Sequence, residues 1–252
     1  MKTLTYIAPT RRINTGRVHG PRRRTAAAST SENWSGAVVF AGASPFTAIT
    51  GTLTVPAVDA VAPGSWFYCA PWVGLDGDGS PDVCQAGVEI DIYIPGRNGP
   101  RGRGGGIQAQ CYAWWEWYPA PETEITNLAV APGDMISVSL AVESPTTAKV
   151  TLANVTTGLA VVDTMTAPPG STVAGNCAEW IVEAPTVGGT QSAVADFGQV
   201  YIEGSATARD ATVTLAGLAS EIDMVSATGA LLSAAVVSAP DLVRCRYAGA
   251  VP

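Results

Sequence analysis

The sequence predicts an all-β protein of two packed antiparallel sheets, and three observations carry that reading. Apolar residues recur at period two in short runs and almost nowhere at helical spacing. Turn chemistry separates the runs, drawn from 27 glycines and 18 prolines in 252 residues. The runs are also too many for one layer to bury, so two sheets must face each other across a shared core.

In chain order, strands are expected at 34–40 and 47–55, and then over 88–94. There Val88, Ile90, Ile92 and Ile94 face one way while Glu89, Asp91 and Tyr93 face the other. The strand Ile107–Tyr118 follows. Gln108, Gln110, Tyr112, Trp114, Glu116 and Tyr118 share a face that mixes hydrogen-bonding groups with flat aromatic surface, whereas Ile107, Ala109, Cys111, Ala113, Trp115 and Trp117 line the opposite one. A core face seldom mixes glutamines with tyrosines, so the polar face suits a groove for an extended polymer, peptide or sugar. Ile136, Val138, Leu140 and Val142 repeat the alternation over 135–142, and further strands are expected at 148–155, 178–183 and 198–203. Within 178–183, Glu179 and Glu183 share a face, which by pattern alone is the wet side of a sheet.

Charge divides the chain in two. Residues 1–24 carry Lys2, Arg11, Arg12, Arg17, Arg22, Arg23 and Arg24 with no anion, leaving seven cations against 21 anions beyond them, a formal charge of -14. The small-residue segment Thr25–Ser31 reads as a linker, so residues 1–31 are expected to be a basic leader and residues 32–252 the functional domain. An acidic body with one lysine, Lys149, cannot offer the cationic surface that binds a phosphate backbone, which excludes nucleic acid as partner. The longest charge-free apolar stretch, Met224–Pro240, is interrupted by Ser, Thr and Gly and falls short of the roughly 20 residues a bilayer span needs. Met1–Pro9 is too short and too polar for the apolar region of a secretory signal.

The single histidine, His19, lies in the leader, so the body holds no imidazole. That removes Ser-His-Asp hydrolases, Cys-His peptidases and His-ligated zinc enzymes. The five cysteines (Cys69, Cys84, Cys111, Cys177, Cys245) form no C-x-x-C pair; disulfides would leave one thiol over, with the pairing open. Asp76–Asp82 imitates a calcium loop, but Pro81 stands where the sharp-turn glycine belongs and Gly87 where the bidentate Glu belongs, so it reads as a plain loop. The Gly-rich run 101–106 reads as a flexible connection. Asn33 and Asn154 each begin a glycosylation sequon.

Four separated blocks, in order, resemble the glutamic peptidases, or eqolisins: Asn33-Trp-Ser-Gly36; Trp72-Val-Gly-Leu-Asp-Gly77; Gln85-Ala-Gly-Val-Glu89 with Trp114-Trp-Glu-Trp-Tyr-Pro119; and Ala178-Glu-Trp-Ile-Val-Glu183. The resemblance spans about residues 33–244. It implies a lectin-like β-sandwich of two curved antiparallel sheets and a secreted, monomeric, pepstatin-insensitive endopeptidase that works in acid on polypeptides, with no cofactor, metal or membrane partner. It further implies a catalytic dyad of Gln85 and Glu179, with Trp72, Asp76, Glu89, Trp114, Glu116 and Tyr118 binding substrate or positioning the dyad. Glu89 stands where fungal members are expected to carry Asp, which keeps the charge and lengthens the arm by one methylene.

The chemistry agrees with the carry-over. Gln85 cannot titrate, so its amide can donate to a developing oxyanion at any pH. Glu179 can activate water and then protonate the leaving nitrogen. A free Glu has a pKa of about 4.3, so activity is expected to peak in acid and fade towards neutrality. The charge split makes the leader a propeptide candidate, attracted to the body near neutral pH and loosened as acid protonates the carboxylates. The rival reading is a carbohydrate-binding β-sandwich module, or a glycosidase using Glu116 and Glu179, which would need its carboxylates about 5 to 9.5 Å apart.

Overall fold

Period-two alternation produces the buried and covered faces it dictates. Val88, Ile90 and Ile92 lie in the core, as do Ala113 and Trp117 on the neighbouring strand. Burying each such aliphatic side chain stabilises the fold by about 2 kcal/mol. The computed structural model describes residues 3–13, 17–25, 27, 29–96, 106–209 and 211–249.

The leader contributes β1 (Thr5–Ile7), β2 (Arg11–Ile13) and β3 (Arg17–Val18), and β4 (Thr30–Ser31) joins it to the body. There follow β5 (Trp34–Phe40), β6 (Phe46–Thr54), β7 (Trp66–Leu75), β8 (Val83–Tyr93), β9 (Gln108–Tyr118) and β10 (Thr123–Ile125). Next come β11 (Met135–Ser144), β12 (Thr147–Asn154), β13 (Leu159–Thr166), β14 (Cys177–Glu183), β15 (Thr186–Val187) and β16 (Thr190–Gln191). The chain ends with β17 (Gln199–Ala208), β18 (Ala211–Val213), β19 (Ala219–Val225), β20 (Leu231–Ala239) and β21 (Leu242–Tyr247). The described residues hold no helix, and the protein is all-β.

One antiparallel ladder runs β2-β10-β9-β8-β7-β14-β5-β19. A second runs β1-β13-β12-β11-β6-β17-β21-β20-β19, antiparallel except for the parallel β1–β13 pair. Because β19 belongs to both, the pairings form one 18-stranded network rather than two separate sheets. The ladders meet face to face in the core. Trp180 of β14 donates its indole N–H to the Thr50 carbonyl of β6 at 2.9 Å. At Gly51 of β6 a Cβ would come within 2.4 Å of Val73 Cγ1 on β7, so only glycine permits that approach.

Several expectations need correction. The segment Thr25–Ser31 is not an unanchored linker along its described length: Thr30–Ser31 pairs in parallel with Asp223–Met224, and fully buried Ser31 accepts the Asn33 and Trp34 amides. Short, small residues suffice there because backbone pairing, not side-chain bulk, holds them. All five cysteines are free thiols. The sequon residues Asn33 and Asn154 are 3% and 0% exposed, with no room for a glycan. The glycine-rich run lies outside the described residues apart from Gly106.

Candidate active site

The register places the expected dyad on one outer face of the first ladder. Glu116 pairs with Gln85, Gln85 with Gly74, and Gly74 with Glu179, a single row across β9, β8, β7 and β14. Two strand spacings separate the Gln85 and Glu179 backbones, about 10 Å. Gly74 between them leaves a slot: a Cβ there would lie 3.0 Å from Gln85 Cβ and 3.0 Å from a Trp72 ring carbon.

Gln85 is fully buried. Its amide donates to the backbone carbonyl of His19 at 2.5 Å, and Glu116 Oε2 accepts the His19 N–H at 2.8 Å. Gln85 Oε1 has no hydrogen-bond partner. Glu179 accepts the Cys177 thiol at 2.8 Å on Oε1, while Oε2 has no partner. Burial pushes the Glu179 pKa well above the usual carboxylate range, and the charges of Asp76 and Asp78 add to it against the Cys177 hydrogen bond. Burial likewise raises the Glu116 pKa.

Asp76 lies close enough to Glu179 for its charge to act there. It adopts φ +65°, and its carboxylate accepts the backbone N–H groups of Ala174, Gly175 and Asn176 at 2.6, 3.0 and 2.7 Å. It thereby fixes the approach to β14, the strand that carries Glu179.

The groove is occupied by the chain's own leader. The body lacks an imidazole, but the leader supplies one: His19 is 0% exposed and stacks on Trp114 with centroids 3.8 Å apart at 4°. Its Nε2 lies 2.9 Å from Glu122 and 3.6 Å from Glu89, and Nδ1 lies 3.6 Å from Glu183. Burial alone would lower the His19 pKa. The hydrogen bond with Glu122, the nearby Glu183 carboxylate and the charges of Glu122 and Glu89 outweigh it and raise the pKa well above the usual value. Burial and the Asp91 charge raise the Glu89 pKa, and burial raises that of Glu183.

On either side of His19 the leader is clamped by charge. Arg17 bonds to Asp91 and the Tyr112 hydroxyl and lies over the Tyr68 and Tyr112 rings. Arg22 and Arg24 each reach Asp78 at 2.7 Å. The Tyr118 ring flanks Gly20, where a Cβ would lie 3.6 Å from it. The loop expected to be plain therefore holds a charge clamp at Asp78.

Of the expected residues, Gln85, Glu89, Trp114, Glu116 and Tyr118 line the leader segment, and Glu179 lies in the same row. Trp72, whose ring borders the Gly74 slot, donates its indole N–H to Glu183 at 2.9 Å. Glu183 is not on a wet face: it is 1% exposed and also accepts from Asn33 at 3.2 Å. Sequence reasoning missed Glu122, Gly74 and the placement of His19. Strand parity already set Asp91 on the face of Glu89, whereas Glu122 precedes a three-residue strand too short to show a period. His19, Glu89 and Glu122 offer ligand atoms within 4.8 Å of one another, a set that could reach one cation. The 2.9 Å imidazole–carboxylate contact satisfies the pair without one.

No helix of the described residues is long and apolar enough to cross a membrane. The profile of the Peptidase A4 family matches residues 32–247. Aspergillopepsin-2 of Aspergillus niger is 33% identical over 202 residues, 73% of this chain and 67% of that protein. Scytalidopepsin B of Scytalidium lignicola is 29% identical over 159 residues, 62% of this chain and 53% of that protein. The crystal structure of scytalido-glutamic peptidase with a transition state analog inhibitor is 26% identical at a TM-score of 0.70, over 86% of this chain and 98% of that one. With the resemblance in four sequence blocks, the all-β scaffold and these matches in agreement, the chain belongs to the Peptidase A4 family and is a peptidase.

Proposed function

We propose that the protein is an acid-acting, pepstatin-insensitive endopeptidase of unfolded polypeptides, using Gln85 and Glu179 to add water directly to the peptide carbonyl. One observation carries the reading: the Gln85 amide donates to a peptide carbonyl, that of His19, in the face shared with Glu179. Such a donor stabilises the oxyanion that forms when water adds. Glu179 in its ionised form removes the proton from water, and the same proton then passes to the leaving nitrogen. Burial raises the Glu179 pKa, so in acid the reaction starts from the fraction of Glu179 that stays ionised, and the proton that fraction takes from water is held until the leaving nitrogen receives it.

The glycosidase alternative fits less well. Glu116 and Glu179 stand in one row with Gln85 and Gly74 between them, and a two-carboxylate mechanism gives the buried Gln85 amide no role. The substrate is polypeptide, the working form a secreted monomer without metal or cofactor, and residues 1–31 act as a propeptide over residues 32–252. Hydrolysis of an unfolded protein at about pH 3 with pepstatin present tests the reading. Cleavage by the wild type and none by Glu179→Gln is expected; equal cleavage by both removes Glu179 from the mechanism.

A further inference from the structure

We propose that the pocket walled by Trp114, Glu89, Glu122 and Glu183 is the subsite for the residue on the acyl side of the bond to be cut, that it selects histidine, and that the leader presents His19–Gly20 there as a substrate bond. The inference rests on the proposed function and deepens it by naming the substrate class.

The pocket is more than an acidic cluster, because an occupant defines both its chemistry and its register. The backbone carbonyl of His19 receives the Gln85 amide while its N–H is held by Glu116, so the side chain that enters the pocket belongs to the residue whose carbonyl would be attacked. A flat ring fits against the Trp114 face at 3.8 Å. Both ring nitrogens point at carboxylates, Nε2 at Glu122 and Glu89 and Nδ1 at Glu183. A phenyl ring would stack equally well but would leave three buried carboxyl groups facing hydrocarbon. Both oxygens of Glu89 already lack a hydrogen-bond partner, and that group is fully buried. The walls are themselves fixed: the Tyr112 hydroxyl donates to Glu122 at 2.8 Å, and Trp72 and Asn33 donate to Glu183 at 2.9 and 3.2 Å. Trp114 comes from β9 and Glu122 from the turn into β10, so the hairpin itself sets the pocket's width.

On the far side of the carbonyl, Gly20 faces the Tyr118 ring, where a Cβ would make ordinary contact at 3.6 Å. The bond so presented joins His19 to Gly20. Its hydrolysis is balanced by one water: the water oxygen bonds to the His19 carbonyl carbon, the carbon–nitrogen bond breaks, and the proton carried by Glu179 goes to the Gly20 nitrogen. The products are a His19 carboxyl and a free Gly20 amine.

The test uses the full chain in acid, at about pH 4. Mass spectrometry follows its own termini, and in parallel it is given peptides of the sequence Arg17–Arg24 carrying His, Phe or Gln at the position of His19. A new amino terminus at Gly20, absent in Glu179→Gln, is expected. So is a kcat/KM for the His peptide at least about tenfold above the Phe and Gln peptides, since a site built around polar groups discriminates against partners that leave them unpaired. In Glu122→Gln that ratio should shrink to within about threefold, which a general loss of folding would not produce. Cleavage of the three peptides at equal efficiency, or scission elsewhere in the segment while a denatured protein is digested normally, overturns the pocket assignment and leaves the proposed function standing. Failure to cleave any peptide or denatured protein overturns the proposed function instead.

Discussion

Gly74 separates Gln85 and Glu179 by having nothing where every other amino acid has a Cβ. An added methyl would sit 3.0 Å from Gln85 Cβ and from a Trp72 ring carbon, so one of them must shift by a few tenths of an ångström. Gly74→Ala is therefore expected to lower kcat about ten- to a hundredfold with a small change in KM, because misplacement of reacting groups is costlier than weakened binding. Steady-state kinetics on an unfolded substrate separates the two. On the proposed mechanism Gln85→Ala removes the oxyanion donor and should cost about 10²- to 10³-fold in kcat, with circular dichroism unchanged. Asp76 acts through structure instead. Losing three charge-assisted hydrogen bonds to residues 174–176 should destabilise Asp76→Ala by about 3 kcal/mol in urea denaturation. Asp76→Asn, which tolerates φ +65° and keeps one acceptor, should lose less.

At the scale of elements, how much could be read in advance depended on whether the two faces of a strand differ in polarity. β8 and β9 bury hydrocarbon on one side and carry polar groups on the other, so period two displayed both the core and the row that holds Gln85, Glu89, Trp114 and Glu116. β7 is buried on both faces over most of its length, which turns alternation into a continuous apolar run and hid it. β20 alternates only among Leu, Ser, Ala and Val, too small a contrast to read. The leader strands are two or three residues long and are held by pairing partners more than a hundred residues away, information no local window contains. The same limit hid His19: its charge-rich neighbourhood marked a docking leader, but the pocket that receives it is assembled from three separate strands and a turn. If that docking depends on the Arg17 clamp, Arg17→Ala should speed amide hydrogen exchange over Val18–Gly20 by about tenfold or more at near-neutral pH. Unchanged protection would show that the His19 pocket and the Asp78 clamp hold the segment alone.

For the whole molecule, the buried carboxyls set how stability changes with pH. Glu89, Glu116, Glu179 and Glu183 all have pKa values raised by burial above the ordinary 4.5, so the folded chain binds protons more tightly than the unfolded one at each of them. Their contribution is complete below about pH 4.5 and is lost as pH rises through the folded values. His19, raised above 6.5, adds a loss of the same sign at higher pH. The outer clamps are instead ion pairs, Arg22 and Arg24 with Asp78, Arg12 with Glu124 and Arg11 with Asp163. These clamps are fewer and more exposed on the arginine side, except at Arg22, and exposed pairs contribute little. The body's seven cations also give weak self-repulsion once its carboxylates are neutral. The melting temperature of Glu179→Gln, chosen so that no self-cleavage intrudes, is accordingly expected to fall by about 5 °C or more between pH 4.5 and about pH 8. Adding Glu116→Gln, a neutral side chain of the same shape, should flatten that slope further, since one more titrating group is gone. A melting temperature that instead climbs towards neutrality would mean that the arginine clamps, and not the buried carboxyls, govern the fold, and that the leader is held mainly by its ends.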